Sequence, residues 1–158
     1  TTDPTGLDGT VLRVNPATGA GMVGNPFAAS SNLNARRIVG YGYRNPFRIA
    51  IRPGTNEVWT GDVGWSTWEE LNRLVTPADA TADNFGWPCY EGAGKQGSYD
   101  ALNLNLCETL YTAGSSAIVA PITLSPPCSA WASRSAAAQA MMAPSRRLAS
   151  DASMLSSE

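Results

Sequence analysis

The central part of the chain alternates between apolar and polar residues with the two-residue period of β-strands. Residues 47–52 alternate, residues 53–56 interrupt the pattern, and residues 57–62 follow with β-branched and aromatic positions. The Pro53-Gly54 dipeptide is a turn signal between two such runs. The pattern predicts two strands joined by a turn, with polar residues at the strand ends, where binding groups usually lie.

Further strands are predicted on both sides of this pair, at residues 10–15, 36–41 and 118–124. Residues 66–75 have two interpretations. Ser66 and Thr67, followed by Glu69 and Glu70, fit the capping-box register that begins a helix. The competing interpretation is a strand over residues 68–75. We favour the strand, because it completes a four-stranded meander with its neighbours, and we expect residues 93–116 to form a polar loop.

Two local patterns concern packing and covalent structure. Trp87 and Tyr90 surround a glycine and a proline, and packing of their large rings is the ordinary interpretation. The three cysteines lack Cys-x2-Cys spacing, so they do not indicate a zinc site. Cys89 and Cys107 would close a loop of about 19 residues, and we expect them to form a disulfide in an exported protein, with Cys128 left over.

Composition narrows the classes of function. The formal net charge of −2 gives no electrostatic reason to expect a nucleic-acid partner. No apolar run approaches the roughly 20 residues that cross a bilayer, so no membrane span is expected. Few charged residues together with many glycines and prolines are typical of a turn-rich β protein. The chain contains no histidine, so it supplies neither an imidazole base nor an imidazole ligand for a metal ion.

The composition changes near residue 125. All 15 glycines lie at or before Gly114, and about half of residues 125–158 are alanine or serine. We therefore expect a β-rich unit over residues 1–124. The tail over residues 125–158 is expected to be irregular or weakly helical: a linker, a disordered end or an out-of-frame translation. The chain opens without a methionine, which predicts a fragment of a longer protein.

Six short motifs occur in an order that resembles the glucose/sorbosone dehydrogenase family. Those proteins are soluble sugar dehydrogenases that use pyrroloquinoline quinone (PQQ), and their relatives include hedgehog-interacting-protein-like propellers. The resemblance covers roughly residues 8–124 and implies an all-β fold, a partial six-bladed β-propeller of about one to two blades of four-stranded antiparallel sheet. The motifs are DGTVLRVNP (8–16), NPF (25–27), YGYRNPF (41–47), GDVGW (61–65), EELN (69–72) and NFGWP (84–88).

The resemblance assigns roles to individual residues. Arg44 and Asn45 match the pair that faces the quinone, where a guanidinium can stabilise charge as the ring accepts hydride. Gly64 and Trp65 match positions whose backbone carbonyls bind the cofactor's calcium, an ion that prefers oxygen ligands. Glu70 and Phe85 match a second, structural calcium site.

Each of these residues also has an ordinary interpretation. Arg44 could pair with a carboxylate, and Asn45 before Pro46 is a common turn choice. Glu70 could be a surface glutamate on a strand, and Asp62 is interpreted as a turn residue at a strand end.

The chain also departs from the family pattern. The histidine base of the family enzymes comes from an earlier blade, and Val63 stands where the dehydrogenases have a histidine. The resemblance therefore implies that this segment alone neither binds PQQ tightly nor oxidises sugar, and that it needs the remaining blades of a parent chain. Two hypotheses stay open. One is part of a secreted or periplasmic, PQQ- and calcium-dependent dehydrogenase with a sugar substrate; the other is part of a non-catalytic propeller that binds a glycan or protein.

Overall fold

The computed structural model describes residues 5–127, and most of the regular elements in this part of the chain are short strands. The expected tail lies almost entirely outside the described residues and stays a prediction. The strands are β1 (Thr10–Leu12), β2 (Ile38–Tyr41), β3 (Pro46–Ile51), β4 (Val58–Asp62), β5 (Glu69–Leu74), β6 (Asp83–Asn84), β7 (Tyr90–Glu91), β8 (Gly94–Lys95) and β9 (Thr123–Ser125). The helices are α1 (Gly97–Asp100) and α2 (Asn105–Ala113), with 3₁₀ turns at Ala35–Arg37 and Ser115–Ala117.

The largest sheet has four antiparallel strands in the order β3-β4-β5-β9. The predicted strand pair around the Pro53-Gly54 turn is confirmed, with Ile51 opposite Val58 in the register. The strand interpretation of residues 68–75 is also confirmed, because β5 pairs along β4 with Leu74 opposite Val58. A four-stranded antiparallel sheet of this kind is one propeller blade.

The predicted meander is wrong in its first strand. Residues 36–41 begin in a 3₁₀ turn and continue as β2, which pairs with β1 and, in parallel, with β6 in a separate three-stranded sheet. The reason lies at Gly42, whose φ of 79° is in the left-handed region that favours glycine. That turn redirects the chain between β2 and β3, so the two strands leave one another, and β9 becomes the fourth strand of the blade.

The main core lies between these two sheets. The rings of Tyr43 and Phe85 stack with centroids 4.3 Å apart. Around them pack the other buried residues of the cluster, which are Val11, Val39, Val58 and Leu74. Both sheets contribute to this cluster, so the aromatic pair joins the blade to its neighbouring sheet.

A smaller core forms around a disulfide. Cys89 and Cys107 are bonded, as predicted, and both are buried. The expected loop over residues 93–116 is wrong, because it contains α1 and α2. The side chain of Gln96 caps α1 by accepting hydrogen bonds from the N–H groups of Ser98 and Tyr99. Cys107, Leu110 and Tyr111 of α2 pack in this core, and their spacing of three and four residues is the helical signal that the loop interpretation overlooked.

One side of the blade is open. Phe47, Ile49 and Ile51 lie on β3 and are 61%, 62% and 66% exposed, and Ile49 and Ile51 share one face of the strand. Ile49 and Ile51 line a cavity of about 370 Å³ together with β1 residues such as Val11 and Leu12. Among the described residues, no helix has the length and apolar character that a bilayer crossing requires.

We expect replacement of both bridged cysteines to destabilise the protein. Because the bridge closes a loop with a sequence separation of 18, the Cys89→Ala/Cys107→Ala variant should lose about 3 kcal/mol of unfolding free energy. Urea denaturation followed by tryptophan fluorescence measures this loss. The matched control is Cys128→Ser, which removes a cysteine but no bridge, and the expectation is contradicted if the control and the double variant unfold alike.

Candidate functional site

The side chain of Asp62 fixes the backbone of the Arg44-Asn45 pair. Asp62 ends β4, and its two carboxylate oxygens accept hydrogen bonds from the backbone N–H groups of Arg44 at 2.9 Å and Asn45 at 2.6 Å. Burial raises the pKa of the Asp62 carboxyl, although these N–H groups act in the opposite direction. Interpreting Asp62 as a simple turn residue missed this role, because its partners lie 17 and 18 positions earlier in the chain.

The guanidinium of Arg44 points toward the loop that follows β4. Its Nη1 donates to the Val63 carbonyl at 3.0 Å, and its Cζ lies 5.7 Å from the centroid of the Trp87 ring. Within residues 5–127 the guanidinium forms no ion pair, so the carboxylate that Arg44 meets bonds to its backbone instead. The structure therefore brings Arg44 beside Gly64, the residue next to Val63.

Two carboxylates shape the loop at residues 64–68. Glu69 accepts a hydrogen bond from the Gly64 N–H at 3.0 Å. A single oxygen of Glu91, Oε1, accepts from the next four N–H groups, those of Trp65, Ser66, Thr67 and Trp68, at 2.7, 2.9, 2.9 and 3.2 Å. Burial raises the pKa of the Glu91 carboxyl, but these backbone hydrogen bonds outweigh it, so the pKa lies below its usual range.

The Gly64 and Trp65 carbonyls are left available by this arrangement. In the part of the chain that the structure describes, neither oxygen accepts a hydrogen bond from a protein group. Gly64 has no room for a side chain, because a Cβ there would overlap the Trp68 carbonyl oxygen. The glycine is therefore required by the close approach of the two ends of the loop.

Glu70 and Phe85 are both integrated into the fold. Glu70 accepts hydrogen bonds from the Gly92 N–H at 2.6 Å and from Asn72 Nδ2 at 3.0 Å, and burial raises the pKa of its carboxyl. Glu70 does lie on a strand, as its ordinary interpretation expects, but it is half-buried and bonded to neighbouring residues. The Phe85 ring is in the main core, and its N–H donates to the Tyr41 carbonyl. No hydrogen bond between the described residues joins Glu70 to Phe85.

Four carboxylates thus lie around one end of β4 and β5, and each accepts at least one backbone N–H. None of them takes part in a salt bridge within residues 5–127. They are Asp62, Glu69, Glu70 and Glu91. Across the described residues, no three or more His, Cys, Asp or Glu side chains are grouped so as to hold a metal ion.

Three aromatic rings form a cluster next to Arg44. Trp65, Trp87 and Tyr99 contact one another edge to face, with centroids 5.5 to 5.7 Å apart. The sequence predicts packing for Trp87 but not for Tyr99, because Tyr99 lies in α1, where a loop was predicted. Trp65 is about half exposed, so the cluster presents an aromatic surface beside the guanidinium.

Removing the Asp62 carboxylate should release the Arg44-Asn45 turn. In Asp62→Ala two buried hydrogen bonds are lost, and we expect the unfolding free energy to fall by about 2 to 3 kcal/mol. Asp62→Asn keeps one acceptor, but its Nδ2 would meet the second backbone N–H as another donor, so it should lose a similar amount of stability. Urea denaturation at pH 7 measures both. Asp100→Ala, which removes an exposed ion pair with Lys95, is the control and should change little.

A methyl group at Gly64 should displace the loop. We expect Gly64→Ala to lower the unfolding free energy by more than about 2 kcal/mol, because the Trp68 carbonyl must move. Gly61→Ala is the matched control, since the nearest atom to its Cβ would be Arg48 Cβ at 3.6 Å, an ordinary contact. Thermal unfolding compares the two, and equal melting temperatures would show that the loop is not closed in this way.

Comparison with known proteins agrees with the fold. An oxidoreductase described as a glucose dehydrogenase, from Thermus thermophilus, has 25% sequence identity and a TM-score of 0.55, and the match covers 78% of this chain and 30% of that one. The PQQ-bound aldose sugar dehydrogenase from Streptomyces coelicolor has 26% identity and a TM-score of 0.49, over 75% of this chain and 26% of that one. None of the curated proteins compared with the chain matches it.

The chain therefore spans less than a third of the length of these two structures. Its antiparallel sheets and its similarity to the Thermus structure confirm the predicted all-β, partial-propeller fold. The family model described as glucose/sorbosone dehydrogenase matches residues 1–105, which is more than half of the 158 residues. The chain belongs to the glucose/sorbosone dehydrogenase family.

Proposed function

We propose that this segment supplies part of the cofactor site of a PQQ- and calcium-dependent sugar dehydrogenase. In the complete protein, a sugar hydroxyl would be oxidised by hydride transfer to the quinone. The observation that carries this proposal is the contact between Arg44 and the Val63 carbonyl. It brings a guanidinium close to the Gly64 and Trp65 carbonyls, which accept no hydrogen bond from residues 5–127.

The side chains of Arg44 and Asn45 suit a quinone ligand. A guanidinium has five N–H donors, and within residues 5–127 only one of those of Arg44 is engaged, with Val63. The Asn45 side-chain amide makes no hydrogen bond to a described residue. The hydrogen bonds that Asn45 forms with Asp62 and Val63 use its main-chain N–H and C=O. Arg44 would bind and orient the quinone oxygens, while the Trp87 ring beside it limits access of water.

The Gly64 and Trp65 carbonyls suit calcium, which binds backbone oxygens as well as carboxylates. When both are bound, PQQ would supply the hydride acceptor and calcium would supply a Lewis acid that polarises the quinone. For Glu70 and Phe85 we propose the second calcium site, with Glu70 as the charged ligand and the Phe85 carbonyl as a neutral one. A cation there would offset the burial that now raises the pKa of Glu70.

Other parts of the propeller would complete the site. The segment contains no histidine, so removal of the sugar hydroxyl proton falls to another blade. The remaining blades are thus the first partner that the proposal requires. The Cys89–Cys107 disulfide supports a secreted or periplasmic location, because such bonds persist in oxidising compartments.

Replacement of Arg44 tests the proposal. With PQQ and calcium added to the full-length protein, we expect aldose-dependent reduction of a dye, and Arg44→Lys should reduce kcat by about a hundredfold, because the bidentate donor is lost. Arg48→Lys is the matched control, since Arg48 is an exposed arginine on β3 whose guanidinium lies over Phe47. An Arg44→Lys variant as active as wild type would contradict the role of Arg44.

A non-catalytic module is the second candidate. It is favoured specifically by the aromatic cluster of Trp65, Trp87 and Tyr99, in which Trp65 is about half exposed. Aromatic surfaces bind the apolar faces of sugar rings without any cofactor. This function predicts sugar or glycan binding that is weakened by Trp65→Ala and needs no PQQ. Absence of dye reduction across a broad panel of aldoses, with binding retained, would replace the first proposal with this one.

A further inference from the structure

Glu91 has an unusual set of partners for a glutamate on a two-residue strand. Its Oε1 accepts four consecutive backbone N–H groups, and the residue is only 4% exposed. Successive N–H groups that converge in this way form a concave site for an anion. Here the anion is a side chain of the same protein, 23 to 26 residues further along the chain, so the loop is fixed to β7 instead of being open to a ligand.

The geometry of the peptide unit extends this contact to the carbonyls. A trans peptide unit is planar, so its N–H and the preceding C=O point in opposite directions. The N–H of Trp65 shares a plane with the Gly64 carbonyl, and the N–H of Ser66 shares one with the Trp65 carbonyl. Because Glu91 draws both N–H groups inward, both carbonyl oxygens face away from it, and neither accepts a hydrogen bond from a described residue.

We propose that Glu91 is a positioning residue that orients the Gly64 and Trp65 carbonyls for a divalent cation. This inference rests on the proposed function, which assigns calcium to those two oxygens. Glu91 does not contact the cation, but it fixes the two peptide planes before the cation arrives. The site is then preorganised, and binding does not have to order the loop.

A second contact makes the arrangement stiff. The residue after Glu91, Gly92, donates its N–H to Glu70 on β5 at 2.6 Å. A Cβ at Gly92 would meet the Trp68 indole at 2.6 Å, so the β7 turn packs directly on the end of the loop. The four-stranded sheet therefore fixes the position of Glu91 through Glu70, and Glu91 in turn fixes the loop at residues 64–68.

Two conservative variants separate geometry from charge. Glu91→Gln keeps an oxygen at the same reach but removes the charge, whereas Glu91→Asp keeps the charge and withdraws the oxygen by one methylene. The probe is Tb³⁺, whose emission is excited through nearby tryptophan, with Ca²⁺ as competitor. The titration is run on the full-length protein and repeated in a Glu70→Gln background, to remove the contribution of the second proposed site.

We expect Glu91→Asp to weaken Tb³⁺ and Ca²⁺ binding by about tenfold or more, as is usual when a group supporting a metal ligand is displaced. Glu91→Gln should stay within about threefold of wild type, because its amide oxygen still accepts the N–H groups. Glu108→Gln, on α2 and without contact to the loop, is the control and should bind as wild type. Circular dichroism checks that each variant is folded.

The outcomes distinguish this inference from the function on which it rests. If the wild-type protein binds neither ion, the proposed calcium site fails and the inference fails with it. If wild type binds and Glu91→Asp binds equally well, only the role of Glu91 is overturned. If Glu91→Gln is weakened more than Glu91→Asp, Glu91 acts through its charge and not by orienting the carbonyls, which also overturns the inference.

Discussion

The rest of this site depends on hydrogen bonds that buried carboxylates accept from backbone N–H groups. Asp62 fixes the Arg44-Asn45 turn, Glu69 and Glu91 fix the loop after β4, and Glu70 fixes the turn after β7. Charge-assisted hydrogen bonds of this type are about twice as strong as neutral ones. The loops therefore have defined shapes although they contain little regular structure.

The same strands supply both the core and the site. On one face of β4 and β5 the opposed pairs change from apolar, at Val58 and Leu74, to neutral polar, at Thr60 and Asn72. At the far end the pair is Asp62 and Glu70, which is acidic. The apolar end packs on the Tyr43–Phe85 stack, so hydrophobic burial keeps the acidic end at a fixed distance from the core. A rigid sheet with polar residues at one edge is the usual way in which folds hold functional loops.

Much of the fold could be predicted from the sequence, because β3, β4 and β5 have a clear two-residue period and a Pro-Gly turn. The separation of β2 from this sheet could not, since it depends on the conformation of one residue, Gly42. Helices α1 and α2 were missed for other reasons. Helix α1 has only four residues and is capped by a glutamine, and the apolar face of α2 is limited to Cys107, Leu110 and Tyr111.

The candidate site was predictable in its motifs but not in its supports. Arg44, Asn45, Gly64 and Trp65 stand in short patterns that can be compared with a family, whereas the roles of Asp62 and Glu91 follow only from contacts across 17 or more positions. Tyr99 was also missed. Short sequence patterns can nominate candidate site residues, but the groups that hold those residues become visible only after the chain is folded.

The open face of β3 has a practical consequence for work on this segment. Phe47, Ile49 and Ile51 are large exposed residues on β3, which is the edge strand of its sheet among the described residues. An edge strand of this kind is a template on which another chain can add a strand. At the concentrations used for crystallisation or NMR, we expect the isolated segment to self-associate through Phe47, Ile49 and Ile51. Its solubility would then be set by this surface, and polar substitutions there would be the first change to make in preparing it.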